Sequence, residues 1–199
     1  TGGMGAYSPA PIVNKILERK IINKIVRPTL SALKRSGSPY TGFLYIGLMI
    51  KNNEPYLIEF NVRMGDPECQ VILPRLKTDL FKIINYAVKN KLSKVSIKWK
   101  KEKSMTIVLC SKGYPSKYKK NKIIKNLDNI KLKKNFSIFH AGTKIENNKI
   151  LSNGGRVLNI TGVGRKFSKL RSDIIKIIKS INWKGGFYRR DIGWRVVKK

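Results

Sequence analysis

Acidic residues are scarce in this chain: 11 Asp and Glu stand against 43 Lys and Arg in 199 residues, a formal net charge of +32. Cysteine is scarcer still, with only Cys69 and Cys110, which excludes a disulfide framework and a cysteine zinc site. His140 is the single histidine. With no Ser or Cys nucleophile arranged beside it, it reads as a hydrogen-bonded structural residue rather than an acid–base catalyst. No apolar run approaches the length of a membrane span, and no charged-then-apolar leader opens the sequence. Neither a membrane partner nor export is indicated, and the reducing cytoplasm is the expected compartment. No internal repeat or low-complexity block is present either.

The charge excess would ordinarily argue for nucleic acid. Here the lysines are spread along the chain among many Ile and Asn, as AT-rich codon usage would produce. There is no arginine-rich tail, zinc-finger spacing or RNA-binding aromatic motif. Solvated faces enriched in lysine explain the composition, and loose electrostatic sticking to nucleic acid at low salt is expected without specific recognition.

Apolar residues Ile16, Leu17, Ile21, Ile25, Leu30 and Leu33 recur at near-helical spacing over residues 13–35, and Pro28 should kink or split that helix. The run 42–50 reads as a buried strand, and Lys51-Asn52-Asn53-Glu54 as a hairpin turn. A helix should run from Pro67 to about Leu73, and a second should start near Asp79 with Thr78 as N-cap. Leu80, Ile83, Ile84 and Ala87 would form its inner side. The lysine-rich stretch 93–103 is the expected linker. Beyond it the pattern is β-rich, with strands at 105–110, near 123, at 136–139 and at 156–160, and a helix over 168–181.

One stretch carries chemistry: Glu59-Phe60-Asn61-Val62-Arg63-Met64-Gly65-Asp66-Pro67-Glu68. In a strand, alternate side chains share a face. Tyr56, Ile58, Phe60 and Val62 should enter a core, while Glu59, Asn61 and Arg63 line the other side at intervals of about 6.5–7 Å. Glu and Asn are hard oxygen donors of the kind Mg²⁺ takes in ones and twos, and Arg can grip a phosphate in its planar fork. Asp66 reads as a helix N-cap, with Pro67 at the first helical position and the helix N-terminus open to an anion. The same pattern also fits an ordinary half-solvated strand followed by a helix start, and spacing alone leaves both readings open. Residues 1–9 form a glycine-rich loop that is not a Walker P-loop.

The run from Glu59 to Gln70 resembles the signature of the phosphoribosylamine–glycine ligases, ATP-grasp enzymes of purine synthesis. Collinear stretches resemble the same family: Thr1 to Pro9, Tyr40-Thr41-Gly42-Phe43, Gly113-Tyr114-Pro115, His140-Ala141-Gly142-Thr143-Lys144, Asn153-Gly154-Gly155-Arg156 and Arg190-Asp191-Ile192-Gly193-Trp194-Arg195. The resemblance implies an α+β chain in which residues 1–92 are the C-terminal half of an ATP-grasp module. Residues 93–103 would be a linker and 104–199 a small β-rich C-terminal domain. It implies ligation of glycine to 5-phosphoribosylamine with ATP, through a glycyl phosphate. By resemblance Glu59 and Asn61 hold Mg²⁺ or Mn²⁺, Arg63 is the catalytic residue steadying phosphoryl oxygens, and Gly2, Gly3, Met4, Gly5, Asp66 and Glu68 bind substrate. The family's N-terminal portion, which grips the adenine, would be the missing partner. A basic nucleic-acid-binding protein and an ATP-grasp ligase with another acceptor are the alternatives. Met64, where the family often carries Phe or Leu, is a hydrophobic exchange.

Overall fold

A computed structural model describes residues 2–197. Its elements run from β1 (Gly5–Ser8) through α1 (Lys15–Ile21), a π-helical stretch (Ile22–Val26) and α2 (Arg27–Arg35) to β2 (Tyr45–Lys51) and β3 (Glu54–Asn61). Then come α3 (Cys69–Ile72), α4 (Leu80–Val88), β4 (Lys103–Ser111), β5 (Ile123–Ile124), β6 (Phe136–His140), β7 (Thr143–Glu146) and β8 (Lys149–Ser152). β9 (Arg156–Gly164), α5 (Phe167–Ser180), β10 (Gly186–Phe187) and α6 (Trp194–Val197) follow. The class is α+β, as the sequence leads one to expect. Among the described residues no helix is long and apolar enough to cross a membrane.

The chain divides into two compact units; one break between them, at Lys98 and Trp99, falls inside the stretch expected as a linker, but the larger unit also takes in two earlier segments. One comprises Thr1–Pro9, Asp66–Arg75 and Trp99–Lys199, the other Ala10–Gly65 and Leu76–Lys98. The physical reason is strand pairing. Gly5, Ala6, Tyr7 and Ser8 pair antiparallel with Ile107, Thr106, Met105 and Ser104, so the N-terminal loop expected over residues 1–9 ends as a strand of the larger unit.

That larger unit is built on a sheet in the order β1-β4-β9-β6, with β10 also paired to β4; β5, β8 and β7 form a second, three-stranded sheet. β4 is buried along nearly its whole length. Met105, Ile107 and Leu109 pair with Gly162, Ile160 and Leu158 on one face. Gly162 lies beneath Leu170 and Phe136, which puts α5 over that face. Phe167, Leu170, Ile174 and Ile178 of α5 recur at helical spacing and are all buried. Each such side chain contributes about 1.5–3 kcal/mol when taken out of water. On the opposite face Ser104, Thr106 and Thr161 are also buried, and Thr161 Oγ1 donates to Thr106 Oγ1 at 2.8 Å.

In the smaller unit, β2 and β3 form a two-stranded antiparallel ribbon. Its turn is the one expected: Asn52 and Asn53 both have positive φ (51° and 57°), the backbone a tight hairpin needs. Lys20 Nζ donates to the Asn53 carbonyl and to Glu54, and Lys24 Nζ donates to Glu54 Oε2 at 2.7 Å, which ties the helical segment to that turn. Pro28 does not break the expected long helix, whose backbone stays helical throughout, but the regular hydrogen bonding is interrupted just before it. It sits in the first turn of α2, preceded by the π-helical stretch in which the Arg27 N–H reaches back to the Ile22 carbonyl. A proline has no N–H to continue the regular ladder, and the π turn re-routes the bonds around it.

Four expectations for this unit are corrected. Tyr56, Ile58, Phe60 and Val62 do not enter a core; they are 55%, 62%, 37% and 75% exposed. The run 42–50, expected as a buried strand, forms β2 with side chains that are half-buried or exposed. Alternation selects which side of a strand is apolar, but a two-stranded ribbon has too little around it to bury that side. At α4, Asp79 rather than Thr78 is the N-cap, accepting from the Lys82 N–H at 2.8 Å. Thr78 Oγ1 is engaged elsewhere, donating to the Ser96 carbonyl and accepting from the Lys98 N–H. On the expected inner side of α4, Ile83 is buried but Ile84 is exposed.

Candidate functional site

The polar row stands on β3 and just past its end. Asn61 pairs with Tyr45 and Glu59 with Gly47, two residues apart on each strand with no shift between them. Cross-strand pairs share a face, so Glu59 and Asn61 project from the same side of the ribbon. Immediately before Glu59 the register slips: Gly47 faces Glu59 while Leu48 faces Leu57, and Ile58 is the extra residue of a β-bulge. Bulges re-aim the side chains beside them, and this one sets the angle at which the row leaves the ribbon.

Glu59 is exposed and Asn61 half-buried. The strand stops at Asn61, so Arg63 does not continue the row as a third strand position. It bends back instead: its Nη1 donates to the Met64 carbonyl at 3.0 Å and its Nη2 to Asn61 Oδ1 at 3.3 Å. A carboxylate, an amide oxygen and a guanidinium are thus gathered by a strand, a bulge and a return bend. Among the described residues no cluster of three or more His, Cys, Asp or Glu could cage a metal by itself. The donor set fits a Mg²⁺-like ion all the same, since such ions take one or two protein oxygens and fill the shell with water and phosphate.

The remaining expected residues belong to the other unit. Gly2 and Gly3 have φ of +62° and +67°, a conformation other residues adopt only under strain. Thr1, which opens the expected motif, lies outside the described residues. The Tyr114 hydroxyl donates to the Gly2 carbonyl at 2.6 Å. Met4 is 3% exposed and its side chain belongs to the core, so it offers a ligand nothing beyond its backbone. Gly5 is a strand residue whose missing side chain makes room for Ile192.

Asp66 is not a helix N-cap. Glu68 occupies that position with no side-chain capping bond, and α3 is four residues long, too short for the anion-binding helix end expected from Asp-Pro-Glu. The Asp66 carboxylate is taken by other partners: Oδ1 accepts from Gln70 Nε2 at 3.0 Å, and Oδ2 pairs with Arg156 Nη2 at 3.1 Å. Arg156 Nη1 also donates to the Asp66 carbonyl at 2.5 Å and the Gly3 carbonyl at 3.4 Å. Arg156 was missed by sequence reasoning as a site residue. The available signal was an arginine directly after paired glycines, Gly154-Gly155-Arg156. Burial raises the pKa of the neighbouring Cys69 thiol and the Asp66 charge adds to that, which disfavours the reactive thiolate. His140 is hydrogen-bonded as expected, Nδ1 to Thr143 Oγ1 at 2.9 Å.

Comparisons with known proteins agree along the chain. Residues 1–69 match the family model described as phosphoribosylglycinamide synthetase, ATP-grasp (A) domain, and residues 104–195 match the one described as phosphoribosylglycinamide synthetase, C domain. A phosphoribosylamine–glycine ligase of Brucella melitensis is 41% identical over 199 residues, covering all of this chain and 47% of that protein. A chloroplastic phosphoribosylamine–glycine ligase of Arabidopsis thaliana is 44% identical over 203 residues, covering 38% of its length. The crystal structure of phosphoribosylamine–glycine ligase from Thermotoga maritima superposes with a TM-score of 0.81 at 31% identity, over 96% of this chain and 46% of that one. A biotin carboxylase domain from Hydrogenobacter thermophilus shares the fold alone, with a TM-score of 0.65 at 12% identity. The chain spans less than half the length of these relatives.

Proposed function

The chain belongs to the phosphoribosylglycinamide synthetase family, and from that premise we propose that it forms the metal-holding portion of a ligase joining glycine to 5-phosphoribosylamine at the expense of ATP. In that reaction a carboxylate oxygen of glycine attacks the terminal phosphorus of ATP and ADP departs. The amine nitrogen then attacks the carbonyl carbon of glycyl phosphate, inorganic phosphate leaves with the bonding pair, and the nitrogen loses one proton. Such chemistry asks the protein for placement and charge balance more than for a nucleophile.

The observation that carries this reading is the common face of Glu59 and Asn61, with Arg63 folded back onto Asn61. In the proposal these two residues would hold Mg²⁺ or Mn²⁺. When bound, the ion neutralises charge on the phosphate oxygens. Arg63, already lying against Asn61, offers its remaining donors to the transferring phosphoryl group. The backbone of Gly2 and Gly3, with Asp66 and Glu68, would receive the substrates; no specific nucleic acid and no membrane is required. The exposed Tyr56, Ile58, Phe60 and Val62 support the idea that the rest of the ligase covers this ribbon, as does the length of the relatives. The two free cysteines fit work in a reducing cytoplasm.

The test uses the full-length enzyme with Glu59→Ala and Asn61→Ala. Mn²⁺ affinity, read by electron paramagnetic resonance, should fall roughly 10–100-fold in each while melting stays near wild type. Turnover should fall with it. Wild-type metal affinity in both variants would sink the assignment. The 199-residue chain alone should form no glycinamide ribonucleotide in a single-turnover assay.

A further inference from the structure

The strongest arrangement outside the polar row joins residues far apart in sequence. Arg156 opens β9, and its guanidinium reaches three points: the Asp66 carbonyl, the Asp66 carboxylate and the Gly3 carbonyl. We propose that Arg156 is a positioning residue of the substrate site, locking the Asp66 carboxylate and the glycine-rich loop into one rigid receptor for the amino group of a substrate. This rests on the assignment of Asp66 and that loop to substrate binding.

The platform beneath Arg156 is fixed by short bonds. Ser111 donates its N–H to the Gly155 carbonyl and its hydroxyl to the Gly154 carbonyl, both at 2.7 Å. Gly155 lies under the Tyr114 ring, whose hydroxyl holds the Gly2 carbonyl. Gly3 has no side chain where Arg156 Nη1 passes, so any other residue there would displace the guanidinium. The arrangement uses two separate nitrogens of a planar fork, Nη1 on the two carbonyls and Nη2 on the carboxylate, a spread that the single nitrogen of a lysine does not reproduce.

What this leaves on Asp66 is specific. Oδ1 accepts one protein hydrogen bond and Oδ2 makes one ion-pair contact, and an ionised carboxylate has about four acceptor sites. The side chain is 41% exposed against 27% for Arg156. A carboxylate pinned by these partners yet left partly exposed recognises an N–H donor, such as an amine or ammonium, and repels a phosphate. Arg156 faces the carboxylate and so spends its charge there rather than on an anion of the substrate.

The test compares Arg156→Met, Arg156→Lys and Asp66→Asn in the full-length enzyme. Both Arg156 variants should raise KM for the amine-bearing substrates roughly tenfold, while KM for ATP and Mn²⁺ affinity stay within about twofold. Combining Arg156→Met with Asp66→Asn should be no worse than Asp66→Asn alone, because one acts through the other. Unchanged KM in Arg156→Met, full additivity, or equal losses for all substrates with a lowered Tm would overturn the proposal. If Arg156→Met does not fold, Arg156→Lys, which keeps the charge, decides it. Wild-type KM in Asp66→Asn would instead remove the substrate assignment beneath it.

Discussion

Glu59 stands directly across the ribbon from Gly47, and a Cβ built on Gly47 would lie 2.9 Å from the Glu59 Cγ. The missing side chain is what lets the carboxylate lie over β2 on the face it shares with Asn61. Gly47→Ala should therefore turn Glu59 aside and lower Mn²⁺ affinity of the full-length enzyme roughly tenfold, the scale of other supporting contacts around metals. Stability should change little, because Ala in a strand regains up to about 1 kcal/mol of what Gly loses in chain entropy. With Glu59 already replaced by Ala, adding Gly47→Ala should cost nothing further. An equal penalty in both backgrounds would show that Gly47 acts on something other than Glu59.

The face shared by Glu59 and Asn61 was legible in the sequence because strand alternation has a fixed period, and the asparagine turn before it pins the register. The bulge at Ile58 was not, since nothing in the composition of a bulged strand differs from a regular one. Asp66 misled for another reason. Its neighbours spell a helix start, but its carbonyl is claimed by Arg156, 90 residues further on, and local sequence does not reveal a competitor at that distance. The exposed Phe60 marks a third limit: a pattern names the apolar side of a strand without naming what covers it, and Tyr56, beyond the bulge, falls on the Glu59 face instead. Helix α5 was legible almost to the residue, because its apolar stripe and its partners lie in the same unit.

Glu54 supplies a pH-dependent tie in the smaller unit. Hydrogen bonds from Lys20 and then Lys24 hold its carboxyl below the usual carboxylate range. A group whose folded pKa is depressed adds stability above its unfolded value, about 4.3 for Glu, and loses it as pH falls through the folded value. Urea midpoints of wild type and Glu54→Gln should differ at pH 7 and converge as the solution is taken well below pH 4. The gap should also shrink with added salt, since the pair is solvent-accessible. A gap that persisted unchanged at low pH would mean the glutamate contributes through packing instead.

Cys110 should be chemically silent in the native protein. It is fully buried in β4, and burial pushes its thiol up to about 12, against a smaller opposing pull from Arg156. Thiolate is the reacting species, so at pH 8 almost none is present and reagents cannot reach it. Iodoacetamide labelling followed by mass spectrometry should leave Cys110 unmodified until urea unfolds the chain, with half-buried Cys69 reacting slowly before it. Labelling of Cys110 in native buffer at the rate of a free thiol would mean that the sheet opens far more readily than its burial implies.

The net charge of +32 separates the ligase reading from a nucleic-acid-binding one by a salt titration. If the lysines are only solvated charge, affinity for duplex DNA comes from counterion release alone. A chain neutralising about six phosphates would then lose roughly a thousandfold in affinity between about 50 and 200 mM salt. Single-stranded, duplex and scrambled competitors of equal length should displace one another in the order of their charge density and not of their sequence. A built interface behaves differently, because contacts to base edges or to groove shape persist when counterions are plentiful. Binding that kept a sequence preference at 200 mM salt would require a recognition surface, and the lysines would then need a role that ligation does not give them.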